Sequence, residues 1–111
     1  MISSSEIGDI IAVYTKHGWL LRRVLLSPTV KGSIRLPEQS IGDAAIIDSD
    51  LDALWFSRPP KPGGVAWEIR HLSIEPYALL FTIDEHDAEF EDSLVSAEDV
   101  LRTNIASRKV A

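Results

Sequence analysis

The chain has 111 residues, of which 45% are hydrophobic and 25% charged; 17 acidic side chains face 11 basic ones, giving a formal charge of −6. These values describe one ordinary globular domain spanning 1–111, with apolar material for a single modest core. An acidic chain lacks the cationic surface that a phosphate backbone or an anionic membrane attracts, so neither nucleic acid nor membrane is an expected partner.

The absence of cysteine excludes disulfides, thiolate metal sites and cysteine nucleophiles, and fits a reducing compartment. Residues 1–20 carry no basic segment leading into an apolar run, because Glu6, Asp9 and Lys16 interrupt it. No window approaches the roughly 18 consecutive apolar residues of a spanning helix. A cytoplasmic location is the resulting expectation.

The first element is predicted as a helix over 4–17. Ser3 and Glu6 have the spacing of a capping box, in which each side chain satisfies a backbone N–H that the helix leaves unpaired. Ile7, Ile10, Ile11 and Tyr14 follow at helical spacing and make one apolar face. Lys16 and His17 suit the negative end of the helix dipole, and Gly18 suits a left-handed stop.

Trp19–Leu26 reads as a strand. Strict alternation puts Trp19, Leu21, Arg23 and Leu25 on one face and Leu20, Arg22, Val24 and Leu26 on the other. Each face is then mainly apolar with one arginine, which predicts a strand covered on both sides. Residues 27–50 are broken by Ser27-Pro28, Gly32, Pro37 and Gly42. They are expected to form a covering loop with one short helical turn near 38–42, pinned by Ile34, Leu36, Ile41, Ile46 and Ile47.

Three apolar runs follow between Leu51 and Ile83: Leu54-Trp55-Phe56, Val65 to Ile69, and Tyr77 to Ile83. Pro59 to Gly64 and Ser73 to Pro76 separate them, a pattern that predicts an antiparallel meander. Phe90, Leu94, Ala97, Leu101 and Ile105 then recur at spacings of four and three. They predict a helix over 87–106, with Asp87 as N-cap and Arg102, Arg108 and Lys109 near its far end.

The predicted fold is therefore α+β: a four-stranded antiparallel sheet flanked by an N-terminal and a C-terminal helix, in the order α-β-loop-β-β-β-α. The α-β-β-β-α core within that order resembles the double-stranded RNA-binding domain. The likeness stops at the order, since RNA binding needs cations where this terminal helix opens with Asp87, Glu89, Glu91 and Asp92. A solvated helix start explains those acids, and a docking surface for a basic protein partner is the sharper alternative.

Asp48, Ser49, Asp50, Leu51 and Asp52 begin like a calcium loop. Ala53 and Pro59 stand where that loop needs glycine and a bidentate glutamate, so no metal is expected there. His17, His71 and His86 are scattered and show no ligand spacing. No nucleophile elbow or phosphate-binding glycine loop is present, and no cofactor is expected. Glu68 and Glu75 are a carboxylate pair that could meet across the sheet.

Arg22, Arg23, Arg58 and Arg70, close in sequence to Trp19, Trp55 and Trp67, are the most informative polar residues. Cation–π stacking and ion pairs would account for them structurally. A ligand site for a carboxylate or other anion, formed by Arg22, Arg23, Arg58, Arg70, Trp55 and Trp67, is the functional alternative. Two helices on one sheet face would leave the other apolar face bare, and a homodimer is expected to cover it. The reading is a non-enzymatic interaction or regulatory domain that self-associates; the alternative is a small anionic-ligand binder or an enzyme using the arginine–tryptophan region.

Overall fold

The computed structural model describes residues 3–35, 41–61, 64–73 and 77–110. Helix α1 covers Ser4–Lys16, and the predicted capping box is present: Ser3 accepts from the Glu6 backbone N–H while the Glu6 carboxylate accepts from that of Ser3. Gly18 takes the left-handed conformation, φ 87°, that stops the helix. Strand β1 follows at Leu20–Leu26.

The next segment departs from the expected loop. Helix α2, Pro28–Ser33, is capped by Ser27 with proline in its first turn, and strand β2 occupies Ala45–Asp48. Of the helical turn expected near 38–42, residues 36–40 lie outside the described residues. Strands β3 (Ala53–Lys61), β4 (Gly64–His71) and β5 (Ala78–Thr82) form the predicted meander, and helix α3 runs from Phe90 to Val110. The α-β-β-β-α order is thus interrupted by α2 and β2.

The sheet has five strands in the order β2-β1-β3-β4-β5. The β2 strand pairs with β1 in parallel, and the other three pairings are antiparallel, so the sheet is mixed rather than the expected four-stranded antiparallel one. A parallel neighbour requires a crossover of a dozen or more residues. Residues 27–44 supply it, with α2 inside.

The two long helices take opposite faces of this sheet, where one shared face was expected. Against α1 pack Leu21, Val24, Leu26, Leu54 and Phe56, with Ile7 and Ile11 from the helix itself. Against α3 pack Leu25, Ala53, Trp55, Trp67 and Ile69, with Leu94, Ala97 and Leu101 from the helix. The predicted stripe of α3 is the stripe that is buried, with Phe90 and Ile105 at its ends partly covered. Among the described residues the second apolar face is therefore covered within the chain by α3, so it does not supply the bare face expected to motivate a dimer.

A β-bulge in β1 decides where its cations go. Leu21 pairs with Phe56 and Arg23 with Trp55, leaving Arg22 as the extra residue. Alternation slips by one, so Arg22 and Arg23 both lie on the α3 face, and Leu21, Val24 and Leu26 all face α1. One arginine per face, as strict alternation predicts, would have driven a charge into the apolar layer under α1, a costly burial.

Replacing Leu101, fully buried beneath α3, by alanine is expected to cost about 2–5 kcal/mol in urea denaturation. The loss should not vary with protein concentration, because the layer it disrupts is intramolecular. Val95→Ala, on the exposed side of the same helix, should change stability by less than about 0.5 kcal/mol.

Candidate functional site

The six residues singled out by the sequence divide between the two faces. Trp55 and Trp67 meet edge to face on the α3 side, with ring centroids 6.1 Å apart. Phe90 closes on Trp67 at 5.3 Å, so the start of α3 is seated on the indole pair. The Trp55 indole N–H donates to Glu98 of α3 at 3.0 Å. That of Trp67 is buried and has no hydrogen-bond partner among the described residues.

Arg22 lies over the Trp67 ring, 4.8 Å from its centroid. It donates to the Ser57 hydroxyl at 3.1 Å and to Glu85 at 2.7 Å. Arg23 lies 5.6 Å from the centroid of Phe90 and holds Glu91 through two hydrogen bonds of 2.6 and 3.0 Å. The bulge thus sends adjacent arginines to the β5–α3 loop and to the first turn of α3. Both carboxylates of these pairs, Glu85 and Glu91, are held below the usual range, chiefly by the hydrogen bonds from their arginines. The bond to Glu91 raises Arg23 in turn.

Arg58 and Arg70 belong to the other face. Arg58 stacks 5.1 Å from the Trp19 centroid and donates to the His17 carbonyl at 2.9 Å, tying β3 to the end of α1. Arg70 is buried and donates to the His71 carbonyl. It shares its sheet face with Glu68, whose carboxylate accepts from the Tyr14 hydroxyl. Burial first, and that hydrogen bond second, push the Tyr14 phenol far above its ordinary value. Tyr14 also stacks on Phe56 at 4.0 Å. Its polar tip therefore marks where α1 ends its cover of the sheet. Glu75, the possible partner of Glu68, lies outside the described residues.

The acidic turn before β3 is divided among three elements. Asp48 pairs with Lys31 at 2.8 Å, Asp50 with Arg102 at 2.7 Å, and Asp52 accepts from the backbone N–H and hydroxyl of Ser27 at 2.8 and 3.1 Å. Arg102, expected from the sequence only to suit the helix dipole, fastens α3 to the β2–β3 turn through Asp50 and also reaches Asp99 of its own helix at 2.6 Å. Its hydrogen bonds hold Asp50 below the usual carboxylate range.

Grooves flank α3. A cleft of about 470 Å³ toward β1 and β2 has Leu25, Ile47 and Leu94 as its floor, with the Arg23–Glu91 and Arg102–Asp50 pairs beside it. Acids outnumber bases around it, so its field does not favour an anion. A second groove of about 370 Å³ runs between α3 and β5, lined by Phe81, Ile83, Ala97 and Val100 with Glu89 and Asp92. Beside it lies the feature that the sequence reading absorbed into the sheet: among the described residues β5 has no neighbour on its outer side, and Leu80 is 64% exposed.

Comparison of the chain with protein-family models, with curated proteins and with solved structures finds no match.

Arg22→Met removes a stacked, partly buried cation and leaves the buried Ser57 hydroxyl short of a donor; it is expected to lower stability by about 1–3 kcal/mol in chemical denaturation. Arg58→Met should cost less, about 0.5–1 kcal/mol, because a single stacking contact and one carbonyl bond are lost. The acid limb gives a further check. Folded-state values of Asp50, Glu85 and Glu91 are depressed, so their contribution is present above the unfolded carboxylate range near about 4 and is lost as pH falls through the folded values. Melting temperature should therefore fall below about pH 4, and Arg22→Met should make that fall shallower.

Proposed function

We propose that this protein is a non-enzymatic interaction domain that self-associates through the free edge of its sheet at β5. The observation that carries the reading is the chemistry of that edge. From Tyr77 to Ile83 the chain has no charged residue and no proline, and Leu80 projects into solvent. Among the described residues the outer side of β5 (Ala78–Thr82) has no neighbouring strand; an edge of backbone donors and acceptors bordered by apolar side chains is a template for another strand, and proteins that avoid such pairing place charge, proline or a bulge there.

The opposite edge supplies the contrast. Strand β2 has only four residues, and its last one, Asp48, carries a charge paired with Lys31. The arginines favour the same reading over an anion site. Each of the four has a hydrogen-bonded partner within the chain, and three of them lie against an aromatic ring. Arg23 and Arg58 reach the start of α3 and the end of α1, Arg22 reaches the β5–α3 loop, and Arg70 bonds a carbonyl of its own strand.

Light scattering coupled to size exclusion is expected to give twice the chain mass of 12.3 kDa. Each copy carries a formal charge of −6, so the association should strengthen as salt screens that repulsion. Leu80→Lys should give a monomer with an unchanged far-ultraviolet circular dichroism spectrum. A wild-type chain that stays monomeric at tens of micromolar in high salt would remove the reading.

A further inference from the structure

The hydrogen-bond phase of β5 fixes which residues can meet across its edge. His71 N–H donates to the Tyr77 carbonyl at 2.8 Å, and Ile83 N–H donates to the Val65 carbonyl at 3.1 Å. Both Tyr77 and Ile83 therefore turn their backbone groups toward β4. In an antiparallel ladder this direction alternates along the strand. With Leu79 opposite Ile69 and Phe81 opposite Trp67, those two residues also point inward. Ala78, Leu80 and Thr82 are left with N–H and C=O aimed outward.

We infer that β5 pairs antiparallel with β5 of a second copy, with Leu80 on the two-fold axis, making one continuous sheet of ten strands. The inference rests on the self-association proposed above and adds its register. With Leu80 opposite Leu80, Ala78 faces Thr82 and Leu79 faces Phe81. All three outward residues of each copy then meet outward residues of the other, giving a six-bond ladder. A one-residue shift of register would set outward groups against inward ones and would lose it.

Side chains agree with this register. On the α1 side the two exposed Leu80 side chains become direct neighbours, and Ala78 lies beside Thr82. On the α3 side Leu79 of one copy lies beside Phe81 of the other, at the mouth of the groove lined by Phe81, Ile83, Ala97 and Val100. No like charges are opposed, because the strand carries none.

The placement of the helices is compatible with the same axis. Helix α3 runs from the Ile83 end of β5, where Glu89 and Asp92 line one groove, to the His71 end, where Asp50, Asp52 and Arg102 line another. A two-fold axis at Leu80 sets the two α3 helices antiparallel, which keeps their acidic starts, with Glu89 and Asp92, at opposite ends of the interface instead of facing each other. The pairing draws on one strand from each copy, so it is expected to be reversible and concentration-dependent.

The chain has no cysteine, so single cysteines report proximity without background. Leu80→Cys is expected to cross-link to itself under mild oxidation, since facing hydrogen-bonded residues lie about 5.5 Å apart between Cα atoms, within disulfide reach. Ala78→Cys alone should not cross-link, but mixed with Thr82→Cys it should. A dimer by light scattering that gives neither cross-link overturns the register while leaving self-association standing; a monomer removes both.

Amide hydrogen exchange of the unmodified chain guards against a cysteine variant that misfolds. The N–H groups of Ala78, Leu80 and Thr82 should exchange at least about tenfold more slowly at high than at low protein concentration. Equal exchange at both concentrations, in a sample that is dimeric at the higher one, overturns the pairing.

Discussion

From Ala53 to Ser57 strand β3 has no solvent face. Ala53, Leu54, Trp55, Phe56 and Ser57 are buried in succession, and the strand lies in the middle of the sheet. A strand buried on both sides needs an apolar layer on each, and neither layer can be omitted without exposing an indole or a phenyl ring. The chain meets that demand with α1 on the Leu54 and Phe56 side and α3 on the Trp55 side. Burying each large apolar side chain contributes about 1.5–3 kcal/mol, so the helices stay docked through β3 more than through any polar contact.

Polar groups then have to be accommodated around that constraint. Arg22 and Arg23 sit in a strand next to β3, where a charge under either helix would lack solvation. The bulge moves both to the face whose helix start is acidic, and each finds a ring and a carboxylate. On the α1 side the corresponding problem falls to Arg58 and Tyr14, at the rim of the helix. Arg58 takes the His17 carbonyl exposed at the helix end, and Tyr14 reaches outward to Glu68. Two of the acids that looked like a metal loop or a docking patch are paired in the same way, Asp50 by Arg102 and Glu91 by Arg23.

The legible parts of the chain were those whose pattern repeats over several turns or is framed by strong punctuation. Ser3 with Glu6 fixed one end of α1, Gly18 the other, and the 90–105 stripe gave the buried face of α3. Three features escaped for physical reasons. A bulge has no composition of its own, so Arg22 and Arg23 could not be assigned to one face from alternation. Ser27-Pro28 is an N-cap followed by a first-turn proline, which marks the start of α2 as readily as it marks a loop. Strand β2 is four residues long and largely exposed, too short for a period to register, and only its Ile46-Ile47 pair hinted at it. The arginine–tryptophan set was found as residues but not as a site, because sequence proximity does not reveal which face a strand residue takes.

The distribution of charge has a consequence for contacts between copies. At a net charge of −6 most surfaces of the chain repel their own kind, and the acids are densest between Asp84 and Asp92. Self-contact is least opposed where no charge is present and where backbone groups supply the attraction, since those groups are neutral dipoles with defined directions. Among the described residues β5 combines both conditions, and its outward residues match their own copies under a two-fold rotation. Had Glu68 stood at Leu80's place, the same topology would set two carboxylates face to face on the axis, and the edge would repel its copy.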